Sequence, residues 1–126
     1  MMLLNPIFST DATEAGLFGD AQTVEEYVRE YYTDVPILAE VARCESTFRH
    51  YDSNGNIVRG IVNTSDVGVM QINTFYHEDT ANASGYDLFT LNGNVGYARN
   101  LYEREGTAPW SASEFCWGDG QHLAKI

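Results

Sequence analysis

Glu45 is the residue whose position most clearly allows chemistry. It follows Val41 by four residues and Leu38 by seven, and on an α-helix those intervals place all three side chains on one face. That face is apolar, so a carboxyl group on it loses hydration, which favours the neutral form and raises its pKa. A carboxyl group still protonated near neutral pH can donate a proton to a glycosidic oxygen. The alternative is a glutamate that forms a salt bridge with Arg43 or Arg49.

Four short motifs follow one another along the chain. They are Glu45-Ser46 in Arg43-Cys44-Glu45-Ser46-Thr47-Phe48; Gly68-Val69-Met70-Gln71-Ile72-Asn73; Asn94-Val95-Gly96-Tyr97-Ala98 with Leu101-Tyr102; and Trp110-Ser111-Ala112-Ser113 with Cys116-Trp117. Their order and spacing resemble the lysozyme-like superfamily, specifically the goose-type lysozyme and soluble lytic transglycosylase group. The resemblance implies an α+β, mainly α-helical lysozyme-like fold with one small β-hairpin. It also implies an enzyme that cleaves the β-1,4 bond between N-acetylmuramic acid and N-acetylglucosamine in peptidoglycan.

The resemblance also assigns roles to individual residues. Glu45 is the expected general acid and base, and the expected substrate-binding residues are Ser46, Gly68, Gln71, Asn73 and Tyr97. A glycine at position 68 would let the backbone approach a sugar closely. The amides of Gln71 and Asn73 suit sugar hydroxyls and N-acetyl groups. Tyr97 is expected to face the cleft and to hydrogen-bond the substrate or Glu45. A capping or buried-network role is the alternative for Gln71.

Asp66 leaves the reaction type open. It resembles the second carboxylate of animal-type lysozymes, which acts as a nucleophile or as a base for water. Many lytic transglycosylases lack that carboxylate, use the N-acetyl group of the substrate and form an anhydro-sugar end. We favour a lytic transglycosylase. The alternatives are a hydrolytic lysozyme that uses Asp66 and a non-catalytic glycan-binding module of the same fold. A turn-stabilising role also suits Ser65-Asp66.

One stretch departs from the family pattern. Many soluble lytic transglycosylases carry Ala-Tyr-Asn-Ala-Gly after the third motif, whereas this chain has Pro109-Trp110-Ser111-Ala112-Ser113 roughly in that place. The sugar contacts on that side are therefore not carried over from the family.

Cys44 and Cys116 are the two cysteines, and their number fits either one disulfide or two free thiols. In the lysozyme-like arrangement the helices that carry them pack together, so the resemblance favours the disulfide. A disulfide implies an oxidising, extracytoplasmic location, whether secreted, periplasmic or associated with the cell wall. The first six residues have neither the basic segment nor the long apolar core of a signal peptide.

The composition excludes several classes of partner. The chain has only seven Lys and Arg residues in total and a net charge of -11, so it lacks the basic surface of a nucleic-acid-binding protein. No apolar run approaches the length of a membrane span. His50, His77 and His122 share no metal-ligand spacing, so we expect no metal and no cofactor. The expected partner is the glycan strand of peptidoglycan, and the expected state is a monomer.

The elements that must position these residues follow from local signals. We expect an N-terminal arm or linker over residues 1–21, the lysozyme-like domain over 22–118 and a tail over 119–126. Thr23 and Glu26 predict a capping box for a helix through Tyr32, and Pro36 predicts the start of the Glu45 helix.

Further along, Asn54-Gly55 predicts a hairpin turn between strands at 48–52 and 57–63. Residues 68–73 are expected to be helical and residues 82–87 to form a loop. A helix is predicted over 94–105, with Gly106 as its C-cap, and a short capped helix from Ser111 through Trp117.

Overall fold

The part of the chain that the computed structural model describes, residues 21–118, contains four α-helices and a small antiparallel sheet. The helices are α1 (Val24–Tyr31), α2 (Ile37–Ser46), α3 (Thr74–Ala83) and α4 (Leu91–Glu105), and the strands are β1 (Asp66–Val67) and β2 (Ile72–Asn73). A 3₁₀ helix (Ala108–Ser113) follows α4 and continues into a helical segment at 114–118. This is a mainly helical α+β architecture, as predicted. The tail at 119–126, and the arm up to residue 20, lie outside the described residues.

Local capping signals set the helix starts. The predicted capping box is confirmed: Glu26 N donates to Thr23 Oγ1 at 3.0 Å, and Thr23 N donates to Glu26 Oε1 at 2.9 Å. Helix α4 begins three residues before the predicted start because Thr90 is its N-cap, accepting from Gly93 N at 3.1 Å. Gly106 ends α4 with a positive φ of 64°, as its glycine predicts.

In the segment between α2 and α3, the strand pairing differs from the prediction. The predicted hairpin is reduced to a single bridge between Tyr51 and Ile57, because the segment after Ile57 pairs with β1 instead, through a bridge between Arg59 and Val67. The ladder forms instead between β1 and β2, with Asp66 opposite Asn73.

The four residues that join β1 to β2 form a turn, so the helix predicted over 68–73 is wrong. Gly68 and Gln71 both have a positive φ, of 78° and 52°, which a right-handed helix excludes. A Cβ on Gly68 would lie 2.4 Å from Asn94 Nδ2 and 2.7 Å from His50 Cε1. Close packing as well as backbone conformation therefore requires glycine there.

Two further differences concern helices. Helix α3 was not predicted, because its sequence has no apolar stripe; it leaves Phe75 and Tyr76 exposed. The short helix predicted through Trp117 is present, but its predicted start at a Ser111 cap is wrong. Ser111 lies inside the 3₁₀ helix, which has Pro109 in its first turn, and residues 114–118 that follow it are α-helical.

Buried polar side chains anchor the β1–β2 turn to the core, and Asn94 is the first of them. Asn94 Oδ1 accepts from Met70 N at 2.9 Å, while Asn94 Nδ2 donates to Val67 O at 3.0 Å and Leu88 O at 2.9 Å. Because every hydrogen-bonding atom of this amide has a partner, its burial is compensated. The turn is thereby fixed to α4.

His50 also anchors the β1–β2 turn, from the side opposite Asn94. Val69 N donates to its Nδ1 at 3.1 Å, so the ring proton resides on Nε2, which donates to Phe89 O at 3.0 Å. Burial lowers the pKa of His50, since the charged ring would lose its water. The neutral ring thus joins the segment after α2 to the turn and to the start of α4.

The predicted disulfide is confirmed: Cys44 is bonded to Cys116, with 6.0 Å between the Cα atoms. It joins the last turn of α2 to the helical segment at 114–118. Among residues 21–118, no helix is both long and apolar enough to cross a membrane.

Candidate functional site

A cavity of about 360 Å³ lies where the end of α2 meets the sheet, the start of α3 and the 3₁₀ helix. Four residues that the sequence singled out line it together: Glu45, Asp66, Gln71 and Asn73. Most of the lining side chains are polar, and the aromatic rings of Tyr76 and Trp110 add apolar surface. A polar, aromatic-edged cavity suits a ligand rich in hydroxyl groups.

Glu45 occupies the last turn of α2, with its side chain half-buried. Burial raises the pKa of its carboxyl group, because the carboxylate is deprived of water. A hydrogen bond from Ser113 lowers that pKa, and the negative charge of Asp66 raises it again. The outcome is a pKa above the ordinary glutamate value, which is the property expected of a general acid.

Ser113 is the closest partner of Glu45 and was not among the predicted site residues. Its Oγ donates to Glu45 Oε2 at 2.6 Å. Trp117 Nε1 donates to the same Oγ at 3.0 Å, and Trp110 O lies 3.1 Å away as a second acceptor for the hydroxyl proton. When Glu45 is protonated, it can donate to Ser113, whose own proton then turns to Trp110 O. Ser113 can therefore bond Glu45 in both protonation states.

A sequence signal for Ser113 did exist. It stands three residues before Cys116, and Cys44 immediately precedes Glu45. A disulfide between the two cysteines brings the segments around them together, which places residue 113 near residue 45.

Asp66 is fixed by the sheet. Asn73, its partner in the register, donates from Nδ2 to Asp66 Oδ1 at 3.0 Å and accepts from Tyr76 N at 3.1 Å as the N-cap of α3. Asp66 also lines the cavity with Glu45. The position allows both a structural role at the sheet and contact with a ligand.

Gln71 combines the two roles that the sequence left open. It lines the cavity, and its Nε2 donates to Gly68 O at 2.9 Å within the turn. The turn therefore fixes the orientation of the amide, so that its oxygen remains available as an acceptor.

Three predicted substrate-binding residues lie behind the cavity and not in it. Ser46 is buried, and its Oγ donates to Val69 O at 2.8 Å, which fastens the turn to α2. Gly68 is buried against Asn94 and His50. Tyr97 is fully buried, and its hydroxyl lies between His77 and Arg104, so the expectation that it faces the cleft or bonds Glu45 is wrong.

His77 takes the place in the cavity that was expected of Tyr97. Arg104 Nη2 can only donate, at 3.2 Å, so the Tyr97 oxygen accepts from it and the Tyr97 proton goes to His77 Nδ1, 3.0 Å away. Partial burial lowers the pKa of His77, and the nearby Glu105 charge opposes that effect in part. The neutral ring thus carries its proton on Nε2.

Comparisons with protein-family models, with curated proteins and with solved structures found no match. Within residues 21–118, no cluster of three or more His, Cys, Asp or Glu side chains could hold a metal ion. Glu45, a half-buried carboxyl group of raised pKa in the cavity wall, is a group that could act as a general acid or base.

Proposed function

We propose that this protein cleaves the β-1,4 bond between N-acetylmuramic acid and N-acetylglucosamine in peptidoglycan, as a lytic transglycosylase of lysozyme-like fold. The observation that carries the proposal is Glu45: a half-buried carboxyl group of raised pKa, bonded to Ser113, at the wall of a polar cavity. The motif resemblance adds the bond and the substrate. The disulfide supports action in an oxidising compartment outside the cytoplasm.

In the proposed reaction, protonated Glu45 donates its proton to the glycosidic oxygen while the bond from that oxygen to C1 of N-acetylmuramic acid breaks. The N-acetyl group of the same sugar stabilises the positive charge that develops at C1. The Glu45 carboxylate then accepts the proton of the C6 hydroxyl as O6 bonds to C1, which yields the anhydro end. Glu45 is protonated again at the end of the cycle, and no water is consumed.

Hydrolysis is the second candidate, and the presence of Asp66 in the Glu45 cavity favours it. Asp66 would then attack C1 or activate water, and the product would carry a reducing end. Mass spectrometry of digested peptidoglycan separates the two, because anhydro and reducing ends differ by one water. With Asp66→Asn, a transglycosylase keeps its activity, whereas a hydrolase that depends on this carboxylate loses it.

The activity itself is tested with Glu45→Gln in a turbidity assay on purified cell walls. The amide keeps the size of the side chain but supplies no proton, so we expect a loss of about 100- to 10,000-fold, with glycan binding nearly intact. Glu114→Gln, which changes an exposed carboxylate near Ser113, is the matched control and should keep full activity. Activity of Glu45→Gln above about a tenth of wild type would remove Glu45 from the mechanism. A wild-type protein that binds glycan without cleaving it would instead be a binding module.

A further inference from the structure

The arginines of the described chain fall into two groups. Four of them form ion pairs with carboxylates at 2.8 to 3.7 Å: Arg29, Arg43, Arg99 and Arg104. Arg49 and Arg59 form no such pair with any residue in 21–118. The chain has a net charge of -11, yet within residues 21–118 these two guanidinium groups have no carboxylate partner.

Both arginines line the same side of the active-site region. A second cavity, of about 320 Å³, includes Glu45, Asp66 and Gln71, which also line the first cavity, and it extends to Arg49 and Arg59. A ligand bound at Glu45 can therefore reach the two positive charges without leaving the surface of one cleft.

The backbone holds each guanidinium group in place. Arg49 Nε donates to Ser46 O at 3.0 Å, and Arg59 Nη1 donates to Thr64 O at 2.9 Å. Each bond uses one N–H of the five that an arginine offers, so most of the donors stay available. Two anchored arginines with free donors suit a carboxylate, which accepts two parallel hydrogen bonds from such a group.

Apolar side chains border the same cavity. Ile61 and Val62 line it and are 99% and 101% exposed, so nothing in residues 21–118 covers them. Apolar surface beside positive charge matches a short peptide with aliphatic side chains and free carboxylates better than it matches a bare sugar or a phosphate chain.

We propose that Arg49 and Arg59 form a subsite for a carboxylate of the peptide stem that N-acetylmuramic acid carries, with Ile61 and Val62 in contact with the stem side chains. This inference rests on the proposed function, because it takes peptidoglycan as the substrate. The subsite adds a specificity to that function: glycan with its stems attached is bound in preference to bare glycan.

The test is calorimetric binding in the Glu45→Gln background, which separates binding from cleavage. Two probes are used: a short glycan fragment that keeps its peptide stems, and the same fragment after an amidase has removed them. Arg49→Gln/Arg59→Gln should weaken binding of the stem-bearing fragment by about tenfold or more, and added salt should reduce that difference. Binding of the bare fragment should not change.

The control is Arg29→Gln/Arg43→Gln, which removes the same charge from outside the cleft and should bind both fragments like its parent. Equal weakening with the bare fragment, or equal weakening in the control, would overturn the subsite and leave the proposed function standing. The subsite would also be overturned if Arg49→Gln/Arg59→Gln bound the stem-bearing fragment as tightly as its parent does. If the parent bound neither fragment, the proposed function itself would fail, and the subsite with it.

Discussion

Glu45 lies in surroundings that oppose its ionisation. Burial and the Asp66 charge raise its pKa, and the Ser113 hydrogen bond offsets this only in part. Because the pKa is higher in the folded chain than in the unfolded one, the folded state binds the proton more tightly. The stability from this proton is fully present below the unfolded pKa, about 4.3, and is lost as the pH rises through the folded pKa.

Glu45→Gln is therefore expected to raise the melting temperature at pH 7. The glutamine stays neutral at every pH and still accepts from Ser113, so it avoids the cost of a half-buried charge. The advantage should shrink as the pH falls towards 4, where wild-type Glu45 is protonated as well. Thermal unfolding at several pH values measures this, and a variant less stable than wild type at pH 7 would contradict it.

Ser113 sets how readily Glu45 ionises. Ser113→Ala removes the hydrogen bond that favours the carboxylate, so the pKa of Glu45 should rise. General acid catalysis needs the protonated form, and activity therefore falls as the pH rises through that pKa. The alkaline limb of the pH–rate profile should move to higher pH in the alanine variant, and NMR titration of the Glu45 carboxyl group should show the same shift.

Ser113→Thr is the matched control, because it keeps the hydroxyl and should keep the wild-type limb. If Ser113 had a purely structural role, Ser113→Ala would lower activity at all pH values without moving the alkaline limb of the pH–rate profile. That result would exclude a role of Ser113 in setting the pKa of Glu45.

At the scale of the elements, Asn94 decides how the β1–β2 turn is attached to α4. Asn94→Asp keeps the acceptor for Met70 N but replaces the donor that faces Val67 O and Leu88 O with an oxygen. Two buried carbonyl groups then lack a partner, and we expect a loss of at least about 2 kcal/mol in the free energy of unfolding. Denaturant unfolding measures it. Asn92→Asp, exposed on the same helix, should stay within about 0.5 kcal/mol of wild type, and a similar small effect at Asn94 would contradict the network.

The elements divide into those that local sequence determines and those that it does not. Capping at Thr23 and the C-cap at Gly106 were predictable, because the Glu26 side chain three residues away completes the first and the second needs only a glycine that adopts a positive φ. The β1–β2 turn was not, since His50 and Asn94 hold it from 19 and 24 residues away along the chain. Helix α3 also escaped prediction, because Ala81 is its only buried residue and its sequence therefore has no apolar stripe.

At the scale of the whole molecule, the residues of the site also divide into those that the sequence predicted and those that it did not. Glu45, Asp66, Gln71 and Asn73 were predicted and do share one cavity. Ser113 was missed because its partner lies 68 residues earlier, and only the pairing of Cys44 with Cys116 relates the two positions.

The disulfide is the covalent link between these distant parts, and its removal makes the last prediction. Cys44→Ala/Cys116→Ala opens a loop with a sequence separation of 72 residues, for which chain entropy gives a loss of about 4 kcal/mol in the free energy of unfolding. Because Glu45 follows Cys44 and Ser113 precedes Cys116 by three residues, the variant should also loosen the hydrogen bond between them. The pKa of Glu45 should then shift upwards, as in Ser113→Ala. Denaturant unfolding and NMR titration of Glu45 measure the two effects separately. A loss of stability without any change in the titration would show that the packing around Trp110 and Trp117 alone keeps Ser113 in place.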